Sequence, residues 1–442
     1  MQLSHNITNR YTAFKAQDET YLNYIPMIIG LGFIIFTFII FLLSPFSWPI
    51  YDYTKLVFYM SAVVFFIFIG FYIGCKPQPS YSTPLKVEKW ILLGTFLSVI
   101  LLFPSSYVYA GKWPWQFFAA LSDQNDAYKS LSDQLTGESI TRAPIIAARV
   151  LSGPVIFAVL PLSVLYWQKL NFKIKICTFV VIFCNIIFSV LRGTTREIVD
   201  IAIVIFASIA ITTCRNIISN KTPAKIIIYY FSRILLITLI LFSLTLTVLT
   251  IRSESRLGVQ AQFCIGYSNI CADNGSPINK LIPDSAFFTF SNATAYLSQG
   301  YYGLALALDR DFESAGGLGH SPALKTLAGF FIDSDDIYSK SYTYKNYIDN
   351  WSDEYQWSTM ATWIANDIGF PATLIFFLIL GILLSISWRS AIYRDNDKAA
   401  LSSIIILFML FYFPANNQMM STLDGYFNTI FWLVYFFSGN RR

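Results

Sequence analysis

The sequence predicts an all-α, polytopic integral membrane protein with about ten transmembrane helices and a large, partly helical periplasmic loop. Two observations on composition predict this class: hydrophobic residues make up 55% of the chain, and only 13% of its residues are charged. A soluble domain carries about 25% charged residues. The mean hydropathy of +0.53 also fits a membrane protein. The net charge of +5 mostly reflects the placement of basic residues in loops, so no nucleic-acid partner is predicted.

Each predicted span is an apolar run close to the length that crosses a bilayer. The hydrocarbon core is about 30 Å thick and takes about 20 residues of helix. The first run follows a mixed polar segment and is too long for the core of a signal peptide, so we retain it as a helix. The predicted spans are 24–43, 55–74, 90–105, 146–167, 176–191, 198–213, 226–249, 368–388, 399–414 and 425–438.

Lysine and arginine residues predict the orientation, because they are enriched in short cytoplasmic loops. With the N-terminus in the cytoplasm, the inner segments hold 16 of the 31 basic residues. The outer connections 44–54 and 415–424 hold none. Both termini are therefore predicted to be cytoplasmic, which an even number of helices also requires.

The lengths of the connections predict three regions. Residues 1–249 form an N-terminal membrane region with seven helices, 250–367 a large outer loop, and 368–442 a C-terminal membrane region with three helices. A shorter outer loop is predicted at 106–145. The large loop contains 13 of the 26 acidic residues and is long enough to have structure of its own. Loops of this length commonly build or cover a site.

Two cysteines of the large loop, Cys264 and Cys271, are predicted to form a disulfide. They lie close in sequence on the side of the membrane that is oxidising, where such pairs are usually bridged. Metal binding is the weaker alternative, because neither of the two histidines, His5 and His320, lies near them.

The stretch RGTTRE, residues 192–197, places charge between two apolar runs on the outer side. In the structural interpretation, Thr194 and Glu197 form a capping box at the start of a helix, and Arg192 extends to the lipid headgroups. In the functional interpretation, the turn and the helix N-terminus present backbone N–H groups, to which Arg192 and Arg196 add guanidinium groups that bind phosphate oxygens. The second interpretation predicts an anion site at the depth of a lipid-linked diphosphate.

Three more arginines are predicted on the same side. Arg252 and Arg256 end the seventh predicted helix and share one face if that helix continues, and Arg310 follows in the large loop. Arginine is normally depleted on the outer side. The five arginines together therefore favour an anionic, membrane-borne ligand.

Three stretches resemble the Wzy-type O-antigen polymerases, the bacterial oligosaccharide repeat unit polymerases. The turn GTTRE is similar to the Gly-Thr-Arg turn of that family, with Thr195 inserted before Arg196. The segment YLSQGYYGLALAL, 296–308, resembles the Tyr- and Gly-bearing segment of the family's periplasmic loop. The segment WIANDIGFPATLIFFLILG, 363–381, resembles its re-entry into the membrane.

The resemblance implies a glycosyltransferase of the bacterial cell inner membrane, active in lipopolysaccharide biosynthesis. Its substrates would be oligosaccharide repeat units on undecaprenyl diphosphate, joined at the periplasmic face with the lipid diphosphate as leaving group. A chain-length regulator protein is a further candidate partner.

Such a transfer needs a general base for the acceptor hydroxyl and stabilisation of the leaving diphosphate. His320, in the Gly-rich stretch AGGLGHSP, and Glu197 are the predicted catalytic residues, with Asp309 and Glu313 as rivals. His320 as an ordinary exposed loop histidine remains the structural alternative. The five arginines are expected to bind the diphosphate, and no metal site or cofactor is predicted.

Three other functions remain open. An O-antigen ligase would use the same donor but a different acceptor. A flippase or transporter of the same lipid would carry charge in the middle of its helices and show internal repeats. A membrane scaffold would not need the five outer arginines.

Overall fold

The structure, a computed structural model, describes residues 21–439 except 137–141, 221–262, 267, 274, 330–333 and 354–355. The described part is helical, and its β pairing is limited to two isolated bridges. It contains sixteen α-helices, joined in places by short 3-10 turns. In chain order they are α1 (Tyr21–Leu43), α2 (Tyr53–Gly74), α3 (Val87–Ala110), α4 (Phe117–Ser122), α5 (Gln124–Thr136), α6 (Ala143–Leu165), α7 (Phe172–Leu191), α8 (Arg196–Asn220), α9 (Asp284–Ser298), α10 (Gly300–Leu308), α11 (Pro322–Ala328), α12 (Ser334–Ser339), α13 (Tyr342–Lys345), α14 (Met360–Tyr393), α15 (Asp397–Phe411) and α16 (Leu423–Ser438).

Seven helices of the described part are long and apolar enough to cross a membrane: α1, α2, α3, α6, α7, α8 and α14. They coincide with seven of the predicted spans, so the prediction of an all-helical, polytopic membrane protein is confirmed. The ninth and tenth predicted runs form α15 and α16, which have only 15 and 16 residues. The seventh predicted span, 226–249, lies outside the described residues, and the count of ten stays a prediction.

Polar residues at the loop boundaries define where several helices begin. The Asp52 carboxylate accepts hydrogen bonds from the backbone N–H groups of Thr54 and Lys55 at the start of α2. Asn171 and Asn396 cap α7 and α15 in the same way. These side chains satisfy N–H groups that have no partner inside the helix. The apolar runs therefore begin as helices where the sequence changes from polar to apolar.

The connections gather at two ends of the helix bundle. At one end, the backbone N–H of Asp273 donates to the Pro45 carbonyl over 2.7 Å, and Lys55 pairs with Asp309 at 2.7 Å. At the other end, the Tyr166 hydroxyl donates to Asp397 over 2.8 Å. This partition agrees with the predicted outer and inner segments. That the second end faces the cytoplasm stays a prediction, and both chain termini lie outside the described residues.

The described part of the large loop packs against the membrane helices. The Tyr301 hydroxyl in α10 lies 2.8 Å from the Thr37 hydroxyl and 3.1 Å from the Ile34 carbonyl of α1. Ile34 is nine residues before the end of α1, or about 14 Å along its axis. Helix α10 thus enters between the membrane helices. The re-entering helix α14 is broken at Gly369, whose φ of 72° and ψ of 159° are not helical. Residues 360–368 form a short first part that holds Asn366 and Asp367, and the apolar part after the break begins close to the predicted residue 368.

Gly300 permits the close approach of α10 to the connection between α15 and α16. A Cβ atom at this position would lie 1.9 Å from the Pro414 carbonyl oxygen. Real side chains cannot occupy such a position, so only glycine fits. The contact fixes α10 against this connection, residues 412–422, which also forms part of the candidate site.

The C-terminal helix α16 packs against α6 and α15. The Trp432 indole N–H donates to the Pro154 carbonyl over 3.2 Å, and the Ser402 hydroxyl donates to the Trp432 carbonyl over 2.9 Å. These bonds satisfy polar groups that have no access to water inside the bundle. They hold the middle of α16 against α6 and α15, and the beginning of α16 lines a cavity.

Candidate functional site

A cavity of about 250 Å³ lies among α3, α6, α7, α8, α15 and α16. Most of its wall is apolar, with leucine, isoleucine, valine and phenylalanine side chains from five of these helices. One part is charged instead. The charged residues are Arg149, Arg192, Arg196, Glu197, Asp200 and Asp424. Ionisable groups among membrane helices are costly and usually mark a functional site.

The turn between α7 and α8 supplies two of the three arginines. Gly193 has a φ of 62°, and a Cβ atom there would lie 2.7 Å from the Tyr128 backbone nitrogen. Glycine is therefore required both by the left-handed backbone and by the contact. The turn directs Arg192 towards Glu197, with which it forms an ion pair. The Thr194 hydroxyl donates to the other carboxylate oxygen of Glu197 over 2.9 Å, in place of the capping bond predicted for it.

Arg149 of α6 is the third arginine of the cavity. Two of its nitrogens donate to one carboxylate oxygen of Asp424: the Oδ2 atom lies 2.7 Å from Nη2 and 3.2 Å from Nε. The guanidinium groups of Arg149 and Arg192 each lie 4.9 Å from the centre of the Phe188 ring. An aromatic face attracts such cations. Phe188 therefore holds both arginines close together at the charged part of the cavity.

Arg196 binds the connection between α15 and α16. Its Nη2 atom donates to the Gln418 carbonyl over 2.6 Å, and Nη1 donates to the Ser421 hydroxyl over 3.0 Å. Its Nε atom lies 3.7 Å from Asp200, one turn along α8. The Tyr412 hydroxyl donates to the same aspartate over 2.8 Å. In this structure the planar guanidinium thus organises a loop at the edge of the cavity.

His320 forms a pair with Asp367, which lies in α14 two residues before the break at Gly369. The imidazole Nδ1 atom lies 2.7 Å from Asp367 Oδ2. Three backbone N–H groups, from Gly317, Gly319 and His320, also donate to this carboxylate, over 2.8–3.0 Å. The Gly-rich segment therefore wraps around Asp367. A proton on Nδ1, donated to Asp367, leaves Nε2 as the acceptor, as a general base requires.

The same connection that Arg196 holds also contacts His320. The Asn417 side chain donates to the His320 carbonyl over 3.2 Å, and the Ser321 hydroxyl donates to the Met420 carbonyl. On α16, the Tyr426 hydroxyl lies 3.3 Å from His320 Nε2. His320 itself does not line the cavity. The connection and the first turn of α16 therefore separate the cavity from the histidine and touch both.

Other predicted site residues lie elsewhere. Arg310 forms an ion pair with Asp349 and does not line the cavity, so a role in substrate binding stays a prediction without geometric support. Arg252 and Arg256 lie outside the described residues. The sulfur atoms of Cys264 and Cys271 are bonded in the structure, as the sequence predicts.

The sequence did not indicate Arg149, Asp424, Asp367 or Tyr426 as site residues. Arg149 and Asp424 are 275 positions apart and pair only in the folded chain. Both are charged residues beside apolar runs, and this pattern in the sequence could have indicated them. Within the described residues, no group of three histidine, cysteine, aspartate or glutamate side chains could hold a metal ion.

Comparison with known proteins gave no family: no protein-family model, curated protein or solved structure matches the chain.

Proposed function

We propose that this chain is a membrane glycosyltransferase, an O-antigen polymerase that joins oligosaccharide repeat units carried on undecaprenyl diphosphate. The reaction would take place at the periplasmic face of a bacterial inner membrane, with both termini of the chain in the cytoplasm. One observation carries the proposal: three arginines line a cavity among membrane helices, and one connection joins that cavity to a histidine–aspartate pair. An anion site and a base are the two elements that glycosyl transfer from a lipid diphosphate needs.

The proximity of the two elements follows from the connection. Arg196 binds the Gln418 carbonyl, and the preceding residue, Asn417, binds the His320 carbonyl. Adjacent residues have Cα atoms about 3.8 Å apart. Two hydrogen bonds, one peptide unit and the Asn417 side chain thus link Arg196 to the backbone of His320. In the proposal, the donor sugar passes from the diphosphate in the cavity towards His320 along this connection.

The proposed chemistry follows from this arrangement. His320 Nε2 accepts the proton of the acceptor hydroxyl as the oxygen attacks the anomeric carbon of the donor. The bond between that carbon and the diphosphate oxygen breaks, and its electron pair remains on the diphosphate. Asp367 stabilises the imidazolium that forms, while the arginines stabilise the negative charge of the leaving group. The proposal uses no metal and no cofactor.

His320 is a better candidate base than Glu197. Both carboxylate oxygens of Glu197 already have partners, since one pairs with Arg192 and the other accepts from Thr194. Removing Glu197 from these contacts would leave Arg192 without its counter-ion in a poorly solvated site. His320 is about one-quarter exposed, so a sugar can approach it. We therefore assign Glu197 to holding Arg192 and His320 to proton transfer.

The apolar part of the cavity suits the lipid of such a substrate. Ile156, Leu160, Val181 and Val204 line it, and Phe408 closes it on the side of α15. An isoprenoid chain gains free energy by burying its surface against such side chains. The charged part at one end then receives the diphosphate.

The decisive experiment is deletion of the gene, followed by electrophoresis of the lipopolysaccharide. A polymerase predicts a product with a single repeat unit on the core, and a plasmid encoding the chain should restore the ladder of longer chains. A bare core would contradict the proposal and indicate a ligase or a flippase. Complementation with His320→Gln protein then tests the assigned base in the same assay.

A flippase or transporter of the same lipid is the second candidate, and one observation favours it. The three ion pairs of the cavity, formed by Arg149, Arg192 and Arg196 with their carboxylate partners, lie among membrane helices, as polar pathways of transporters do. Accumulation of lipid-linked repeat units on the inner leaflet after deletion would support this function. Accumulation on the outer leaflet supports the polymerase.

A further inference from the structure

The first turn of α16, residues Leu423–Tyr426, has one functional contact on each of two faces. Asp424 points into the cavity and pairs with Arg149 at 2.7 Å. Tyr426 does not line the cavity, and its hydroxyl lies 3.3 Å from His320 Nε2. Residues two apart on an α-helix point in directions about 200° apart. The turn therefore stands between the anion site and the histidine.

The connection before this turn is also hydrogen-bonded on both sides, to the cavity and to the segment that carries His320. Arg196 binds the Gln418 carbonyl and the Ser421 hydroxyl from the side of the cavity. From the other side, the Ser321 hydroxyl donates to the Met420 carbonyl. The Thr422 hydroxyl then accepts from the Gly425 N–H and begins the helix. Because both Arg196 and Ser321 are bonded to this segment, its displacement changes the cavity and the surroundings of His320 together.

The charges of the cavity are balanced in this structure. Arg149 pairs with Asp424, Arg192 with Glu197, and Arg196 lies near Asp200. An incoming diphosphate therefore competes with these carboxylates for the guanidinium groups. Of the three carboxylates, only Asp424 lies on the turn that also carries Tyr426. Competition for Arg149 therefore acts directly on the first turn of α16, whereas competition for Arg196 acts on the connection before it.

We propose that the first turn of α16 is a positioning element in which Asp424 and Tyr426 couple diphosphate binding at Arg149 to the orientation of His320. The inference rests on the proposed function, of which it describes the internal control. Binding of the diphosphate draws Arg149 away from Asp424. The released turn shifts, and the Tyr426 hydroxyl leaves Nε2, so that the base becomes available to an acceptor hydroxyl only when the donor is bound.

The histidine content of the chain makes this coupling measurable without an activity assay. The chain has only two histidines, and His5 lies outside the described residues. A His5→Gln protein labelled with [13C]histidine and placed in lipid nanodiscs should therefore give one imidazole signal, from His320. Inorganic pyrophosphate is the probe, and its binding is measured separately by calorimetry.

We expect pyrophosphate to shift the His320 signal saturably, at the concentrations at which it binds. In a Tyr426→Phe protein, pyrophosphate should bind at least as tightly, because the contact that binding breaks is already gone. It should lose most of its effect on the signal, because the link to Nε2 is absent. Tyr435→Phe is the matched control. It makes the same change on the same helix, beside Lys398, away from the cavity and from His320, and should leave the shift intact.

Three experimental results would contradict the proposal, each in a different way. Pyrophosphate that binds without shifting the His320 signal would overturn the coupling and leave the anion site standing. An equal shift in the Tyr426→Phe protein would also overturn it, because the signal would then report an effect that bypasses the turn. Failure of pyrophosphate to bind at all would overturn the anion site of the proposed function, and the coupling with it.

Discussion

The planar guanidinium group of Arg196 can be tested by a substitution that keeps its charge. Both of its terminal nitrogens are bonded to the connection before α16, and a diphosphate would need the same planar fork. Lysine keeps the charge but cannot form two parallel bonds. We therefore expect Arg196→Lys to lose long O-antigen chains nearly as completely as Arg196→Ala, as judged by lipopolysaccharide electrophoresis at equal protein level.

Thr194→Ala is the control for this prediction. It removes one hydroxyl that donates to Glu197, a loss of about 1 kcal/mol, and keeps all three arginines of the cavity. Its polymer should remain close to normal. Full-length polymer from Arg196→Lys would instead show that the guanidinium fork is not needed, and would contradict a bidentate role of Arg196 in diphosphate binding.

His320 and Asp367 give the second prediction at this scale. General base catalysis contributes about 10²–10⁴-fold to a rate, so His320→Gln should slow polymerisation of purified lipid-linked units by about 100-fold or more. Asp367→Asn should also slow it, because the amide no longer stabilises an imidazolium. His5→Gln is the control, since it removes the other histidine. Normal turnover by the His320→Gln protein would exclude the histidine as the base.

At the scale of elements, the entry of α10 between the membrane helices depends on Gly300. Alanine there would place a methyl group 1.9 Å from the Pro414 carbonyl oxygen. Overpacking of this kind costs about 1–3 kcal/mol, so Gly300→Ala should lower the melting temperature in detergent. Gly32→Ala on α1 is the matched control, because nothing lies within 4 Å of its added carbon. Equal melting temperatures would mean that α10 packs differently.

The segment before α9 supplies a second test at this scale. A disulfide between Cys264 and Cys271 closes a small ring, with a sequence separation of 7. On the chain-entropy model such a ring stabilises by about 2 kcal/mol. We expect mass spectrometry of unreduced peptides to find the two cysteines linked. Two alkylated thiols in protein isolated from the membrane would contradict the pairing.

At the scale of the whole molecule, the two ends of the bundle should lie on opposite sides of the membrane. Tyr51 is 98% exposed in the connection after α1, and Thr83 is exposed before α3. With the four free cysteines replaced, Tyr51→Cys should react with a membrane-impermeant maleimide added from the periplasmic side. Thr83→Cys should react only after permeabilisation. The reverse pattern would invert the proposed orientation.

The sequence determined the class of this protein and the position of most helices. Apolar runs long enough to cross a bilayer have few alternatives to a helix, because the hydrocarbon core leaves backbone groups no other partner. The same argument fixed where charge would be unusual, and the stretch 192–197 was found for that reason. These properties are local, so the amino-acid sequence is sufficient to predict them.

The tertiary structure decided which charges meet. Arg149 finds Asp424 across 275 positions and His320 finds Asp367 across 47, whereas Arg310, predicted to join the arginine set, pairs with Asp349 instead. The sequence could not separate these outcomes, since a charged residue beside a membrane helix gains free energy from whichever counter-ion the packing brings within reach. That packing, including the entry of α10 between the spans, depends on contacts between distant segments, and no local pattern records them.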